Sequence, residues 1–493
     1  MINKFFKTKP IYPYFIALYP VLHLMSFNTH IWNKWTAFLA IAIVAIMVFI
    51  TLAMMKIFIQ DGARRAFFTS IFFILFFSNH IMMVEIIPFI LGKEMTDGFV
   101  MLLLILLIGL SFYVITKAYF QFNVITEFLN YFGFMLILIV IFTPILNGLV
   151  NKSSRKIDPI NPFLLNRATI IDTTHHPDIY FIILDMHAGQ QSLKEYFNYD
   201  EKDFIIELAK KGFFVSKNSH SNYNFTLPSL ASTLNMNYIL PQDSTLKNNS
   251  LSEYLHFLIR SNAVVQYLHD HQYVFANLSI WEALNDVAEY PYVNQSEFNR
   301  STFYSGLIFQ TILNRFFGRC FFDVYAKRKD IAQRSAEIKN IITIKGPKFV
   351  YIHFLLPHPN YGFTSTGEKP PISDLLMRGK GAHNYLEQLK YSDKLALETI
   401  NGIIQNSPNS VIILQGDHGY HRSPKKIDEE MLSNLNAIRL PGKDTKDLND
   451  TLSSVNTFRI VFNTLFNDSL PILPNHHFID DGKGTKYRMV HVN

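Results

Sequence analysis

Four stretches of this chain carry side chains that could do chemistry together. Asp185 closes the apolar run DIYFIILD, and Asp417 and His418 follow the run VIILQG in QGDHGY. His358 lies between two prolines in LLPHPNY, and Thr226 stands two residues before Pro228 in NYNFTLPSLAST. A carboxylate at the mouth of a buried strand is costly unless it is paired or bound to a cation, although a turn or helix-cap aspartate fits Asp185 as well. Carboxylate oxygens combined with an imidazole nitrogen suit Zn²⁺ or Mn²⁺ better than Mg²⁺, which prefers an all-oxygen shell. Gly416 and Gly419 flank the Asp-His pair and let the backbone turn tightly there.

Thr226 has two readings. One is an ordinary cap of the helix that begins near Pro228, a residue well tolerated in a first helical turn. The other is a nucleophile, with its alkoxide stabilised by a divalent cation and the phosphoryl group favoured by the positive end of the helix. His358 could exchange a proton with a leaving or entering oxygen. His353, five residues earlier and inside an apolar run, reads as structural. Asp185, Thr226, Asp417 and His418 together supply four donors for one metal ion, and their joint occurrence favours the functional reading over four separate bland ones.

The elements that must position these groups are short apolar strands and amphipathic helices in alternation. Strands are expected at 178–185, 348–356 and 410–419, with weaker candidates at 274–278 and 437–440. Helical patterns fall at 201–211, 228–236, 251–270, 322–342, 382–405 and 456–467. Runs apolar at nearly every position indicate strands covered on both faces, so the expectation is an α/β sandwich around a mostly parallel sheet. In such sheets ligands gather at the carboxyl ends of the strands, where Asp185, His358, Asp417 and His418 all fall.

The first 150 residues read differently. Apolar runs near 11–28, 36–58, 66–84, 98–116 and 131–150 predict a transmembrane domain of about five helices over 1–150. No cleavable leader pattern is present. Lys4, Lys7 and Lys9, then Lys56, Arg64 and Arg65, then Lys117 mark one side, against Lys34 and Lys93 on the other. That bias places the N-terminus in the cytoplasm and, after five crossings, residues beyond 150 outside the cell membrane. His80, Glu85 and Glu94 read as loop residues at the outer surface rather than as intramembrane charge. A polar linker over 151–176 then leads to a catalytic domain over 177–493.

Composition agrees with this division. Hydrophobic residues make up 49% of the chain, with 45 Phe and only 17% charged residues, which is too apolar for a soluble protein of 493 residues. A net charge of +6 is mild, and without basic arms or finger spacings nothing points to a nucleic-acid partner. The single cysteine, Cys320, allows neither an internal disulfide nor a cysteine metal site.

The stretches PDIYFIILD, NYNFTLPSLASTLNMNY, FVYIHFLLPHPNY and ILQGDHG resemble the membrane-anchored, sulfatase-like hydrolases and transferases of the alkaline phosphatase superfamily, in particular the lipoteichoic acid synthase group. SSVNTFRIVFNTLF, at 453–466, is similar too. The resemblance implies five membrane spans and an extracytoplasmic catalytic domain. It makes Thr226 the nucleophile and a metal ligand, Asp185, Asp417 and His418 the other ligands, and His358 a substrate-contacting histidine. Lipoteichoic acid synthases carry Glu where this chain has Asp185, and their glycerol-phosphate-binding Trp and Arg have no counterpart here. True sulfatases carry Cys or Ser followed by x-Pro-x-Arg; Thr226 with Leu230 at the arginine position disfavours sulfate-ester hydrolysis. Phosphoethanolamine transferases share the threonine, but their usual disulfides are ruled out by one cysteine.

These readings converge on transfer or hydrolysis of a lipid phospho-head-group through a phosphothreonine, with an envelope glycan or lipid as acceptor, at the plasma (inner) membrane. Two alternatives stand: a phosphodiesterase or phosphomonoesterase without transfer, and an inactive membrane-anchored binding protein. His187, His220, His421 and Arg422 could contact an anionic substrate, and Tyr391 and Asp393 could support the ligands from behind. His476 and His477 fit a solvated loop better than a second metal site.

Overall fold

The computed structural model describes residues 6–7, 9–27, 33–91, 95, 97–153, 176–239, 248–279, 288–291, 303–314, 323–376, 381–421, 428–443, 446–480 and 487–492. Most of the expected linker, Cys320, Glu94 and Arg422 lie outside them. The chain forms two compact units, 1–158 with 294–326, and 159–293 with 327–493. Described residues 303–314 therefore belong with the N-terminal helices, which no sequence pattern indicated.

In the first unit, helices span Tyr12–Phe27, Lys34–Met55, Gly62–Phe76, Asp97–Lys117 and Asn123–Ser153. Three stretches, Lys34–Met55, Gly98–Lys117 and Asn123–Thr143, are long and apolar enough to cross a membrane. Their outward side chains are large and apolar, with Phe49 64% and Leu106 61% exposed, so an apolar solvent is needed to cover them. The expected third span is instead a pair, Gly62–Phe76 and Asn79–Leu91, bent by 51°. Tyr12–Phe27, at 16 described residues, is shorter than a span needs. His80 and Glu85 sit in the second arm of the bent pair, in helical turns rather than a surface loop.

The basic segments gather at one end of this unit. Arg64 donates to the carbonyls of Thr116 and Ala118, and the Tyr12 hydroxyl donates to that of Ala63. Asn130 accepts from the amides of Ile11 and Tyr12 and donates to the carbonyls of Phe6 and Lys9. Lys7, Lys9, Arg64, Arg65 and Lys117 are thus neighbours in the fold although distant in sequence.

The second unit is built on a seven-stranded sheet. Its strands are β1 (Ile179–Leu184), β2 (Phe214–Val215), β3 (Val274–Leu278), β4 (Tyr290–Pro291), β5 (Lys348–Phe354), β6 (Val411–Gly416) and β7 (Asn436–Arg439). They lie in the order β2-β7-β6-β1-β5-β3-β4. β6, β1, β5, β3 and β4 run parallel; β7 is antiparallel to both β6 and β2. A two-stranded ribbon, β8 (His477–Asp480) with β9 (Tyr487–Val490), lies apart from this sheet.

Alternation along the strands divides the core. Ile179, Phe181 and Ile183 of β1 join Phe349 and Tyr351 of β5 and Val411 and Ile413 of β6 on one face. Helices Thr226–Asn235, Asn248–Arg260, Ala263–Asp270 and Thr457–Phe466 cover that face. Tyr180, Ile182 and Leu184 face the other way, under helices Lys202–Lys210, Asp323–Ile341 and Gly381–Asn406. Burial on both faces explains why the central strands read as continuous apolar runs. The expected helix at 251–270 is two helices, because Asn262 caps a new one by accepting from the amide of Val265.

Candidate active site

β1 and β6 are adjacent and parallel, with Leu184 paired to Gly416. Their next residues, Asp185 and Asp417, therefore emerge side by side, on the face covered by helix Thr226–Asn235. An added Cβ at Gly416 would collide with the carbonyl oxygen of His187, and one at Gly419 with backbone of Glu430 and Ser433. These glycines thus serve backbone packing behind the Asp-His pair, rather than the close approach of a ligand.

Asp417 is 2% exposed. Its Oδ1 accepts from the amides of Met186 (2.9 Å) and His418 (3.0 Å), while its Oδ2 has no hydrogen-bond partner. His418 Nδ1 lies 2.8 Å from the Gly419 carbonyl, so that nitrogen carries the proton and Nε2 presents a lone pair. That Nε2 is 3.6 Å from Asp417 Oδ2 and 3.3 Å from Thr226 Oγ1.

Thr226 is the first residue of its helix, and Phe225 occupies the cap position without a side-chain bond. The capping reading of Thr226 therefore fails; its hydroxyl points to His418 instead. The helix start is fixed to β6 by Ser229, whose hydroxyl donates to the Asp417 carbonyl at 2.5 Å. Pro228 sits in the first turn, where its missing N–H costs nothing.

Asp185 is 3% exposed and its Oδ1 has no hydrogen-bond partner. Burial would raise its pKa, but the imidazoles of His358, His353 and His418 outweigh burial and hold it below the usual carboxylate range. Its amide donates to the Phe354 carbonyl, and its own carbonyl accepts from the amide of His358 at 3.1 Å. The His358 loop is further held by Gln388 and Lys327, which donate to the His358 carbonyl at 2.8 and 2.5 Å. Burial lowers the His358 pKa, with Asp185 opposing.

His353 was read as structural and lies closer to the chemistry than that. It is fully buried, and one of its ring nitrogens falls within 4.8 Å of carboxylate oxygens of both Asp185 and Asp417. Burial keeps the Tyr351 phenol protonated, so it donates to His353 Nδ1 at 3.0 Å. The remaining N–H of His353 then faces Asp185 Oδ2 at 3.4 Å. The signal was parity: His353 continues the Phe349, Tyr351 face of β5 just as Asp185 continues that of β1.

Other candidates separate from the centre. His187 is buried against the carboxyl groups of Glu201 and Asp393, and Tyr391 stacks on Phe363. His220 is buried beside His477, whose Nδ1 bonds the Ser221 carbonyl. His476 packs on Tyr238. His421 stays near, its ring 5.0 Å from that of His418.

The residues present fit a divalent cation. Asp185 Oδ1 and Asp417 Oδ2 are buried oxygens without hydrogen-bond partners, Asp185 and Asp417 offer oxygens within 4.8 Å of one another, His418 Nε2 lies 3.6 Å from Asp417 Oδ2, and Thr226 Oγ1 lies 3.3 Å from that nitrogen. This N,O donor set would hold Zn²⁺ or Mn²⁺.

The family model for sulfatases matches residues 182–458, more than half of the chain and every one of these groups. The chain belongs to the sulfatase family. That places this sulfatase-family chain in the alkaline phosphatase superfamily, with a helical N-terminal region in front of the family domain. No curated protein matches it. Among solved structures, the C-terminal periplasmic domain of EcEptC from Escherichia coli is 11% identical, covering 64% of this chain and 94% of that one at a TM-score of 0.43. The same domain in complex with Zn is 11% identical, covering 60% and 84% at 0.39. BT1596, a 2-O GAG sulfatase, is 12% identical, covering 60% and 72% at 0.34. At these TM-scores the likenesses carry no argument about chemistry. Leu230, four residues after Thr226 in the matched range, is buried in the core.

Proposed function

We propose that the chain is a metal-dependent phosphotransferase that moves a phospho-head-group from a membrane lipid to an envelope acceptor. The observation that carries this reading is the Thr226 hydroxyl, 3.3 Å from His418 Nε2 and at the start of a helix whose first turn is tied to Asp417. A bound cation would supply a Lewis acid that favours the Thr226 alkoxide and draws charge from the phosphoryl oxygens. Thr226 Oγ1 attacks phosphorus, the bond to the glycerolipid oxygen breaks, and His358 gives that oxygen a proton. In the second step neutral His358 takes the proton of the acceptor hydroxyl, its oxygen attacks phosphorus, and Thr226 leaves as alkoxide. The start of helix Thr226–Asn235 favours the phosphoryl charge in both steps.

The reading extends to location. The basic segments at one end of the helical unit fit a cytoplasmic end, and three crossings, an odd number, then carry the chain to the other side. The catalytic unit is accordingly extracytoplasmic at the plasma membrane, beside its lipid donor.

The test uses the full-length protein with labelled phosphatidylglycerol or phosphatidylethanolamine and product analysis by mass. Release of diacylglycerol with a phosphorylated Thr226 peptide supports transfer. Release that persists in Thr226→Ala protein overturns it. Product labelled only from water would leave a phosphodiesterase instead.

A further inference from the structure

Two residues beyond Asp185, the chain turns His187 into a second acid-and-imidazole cluster that the chemistry above does not use. His187 Nε2 lies 2.8 Å from Asp393 Oδ1, on helix Gly381–Asn406, and 3.3 Å from Glu201 Oε1, just ahead of helix Lys202–Lys210. The side chains of His187 and Glu201 are 0% exposed and that of Asp393 8%. His187 Nδ1 donates to the Ala188 carbonyl at 3.0 Å, which turns Nε2 toward the two carboxylates. Neither oxygen of Glu201 has a hydrogen-bond partner.

This arrangement is unsatisfied as a purely protein cluster. One proton is shared between His187 Nε2 and Asp393 Oδ1, which leaves the Glu201 carboxyl buried with neither oxygen bonded, and a buried polar group without a partner is strongly disfavoured. A divalent cation would neutralise both carboxylates at once. The three donor atoms already lie within 4.8 Å of one another. Ligands about 2.1 Å from a tetrahedral ion stand about 3.4 Å apart, so the 2.8 and 3.3 Å separations need to open by only tenths of an ångström.

We propose that His187, Glu201 and Asp393 form a second metal site, holding a divalent cation of the Zn²⁺ or Mn²⁺ type in a bracing role. The ion would clamp the turn after β1 to two helices. That turn holds Met186 in a left-handed conformation (φ 66°), and its amide is one of the two donors that orient Asp417. The second ion thereby stiffens the wall of the reaction centre without touching substrate.

The experiment is metal counting by mass spectrometry on full-length protein in detergent, after exhaustive dialysis. Wild-type protein is expected to hold two equivalents per chain, and Asp417→Asn/His418→Gln protein one. Glu201→Gln/Asp393→Asn protein is also expected to hold one, with a melting temperature that falls below that of wild type. A wild-type count of one that drops to zero in Asp417→Asn/His418→Gln protein overturns the proposal and leaves the reaction centre intact. A single equivalent lost only in Glu201→Gln/Asp393→Asn protein supports the second site and sinks the first. Should Glu201→Gln/Asp393→Asn protein not fold, the count retained by Asp417→Asn/His418→Gln protein decides alone.

Discussion

Thr226 Oγ1 and His418 Nε2 lie 3.3 Å apart across 192 residues of sequence. Ser229 keeps them there, by bonding the backbone of Asp417 from the same helix turn.

Removing the hydroxyl tests its role directly. Thr226→Ala should lower turnover by about 10³-fold or more, while Thr226→Ser, which keeps an oxygen nucleophile, should retain a measurable fraction. Steady-state rates on a phosphodiester read this, with melting temperature as the control. Equal activity in wild type and Thr226→Ala would remove the nucleophile from that position.

His353 should act through Asp185. Its substitution by Gln keeps the volume roughly but loses the Tyr351-imposed N–H toward Asp185. Outer-shell partners of metal ligands typically account for 10–100-fold in affinity or activity. Metal titration of His353→Gln protein should therefore give a weakening of about that size. An unchanged dissociation constant would return His353 to a packing role.

Gly419→Ala should destabilise the catalytic unit by about 1–3 kcal/mol, since the new methyl meets backbone that cannot move aside as a side chain would. Thermal unfolding measures it. A neutral effect would mean that the loop carrying Glu430 and Ser433 yields freely.

Mild acid should weaken the catalytic unit through His220. Burial, with His477 beside it, pushes the His220 pKa down from 6.5 to about 4. The folded state then binds fewer protons than the unfolded one, so the contribution is fully present above pH 6.5 and is lost as pH falls toward 4. Between pH 7 and pH 5 the loss is about 2 kcal/mol for one such group. Unfolding midpoints of wild type and His220→Gln should converge as the pH is lowered; parallel lines would exclude the effect.

The central strands, their helices and the nearness of Thr226, Asp417 and His418 were legible because each signal is local. Apolar runs give β1, β5 and β6, and glycines or prolines flank the reactive residues. His353 was missed because its importance depends on the register of β5 against β1, where it pairs with Ile183, and register is not local. Glu201 gave no signal, since a glutamate before a helix reads as a surface charge until the fold buries it. Among the described residues three helices, or four counting the bent pair, are long and apolar enough to cross a membrane. Hydropathy sees neither the bend between Phe76 and Asn79 nor the brevity of Tyr12–Phe27.

The strand order has a consequence for biosynthesis. β1, made early, lies between β5 and β6, which emerge about one-third and one-half of the chain later. Asp185 and Thr226 thus leave the ribosome long before Asp417 and His418 exist to meet them, and pairing across such separations is slow. Under the proposed chemistry, a chain interrupted before residue 418 would have its hydroxyl but no partner to arm it, so every unfinished copy would be chemically silent.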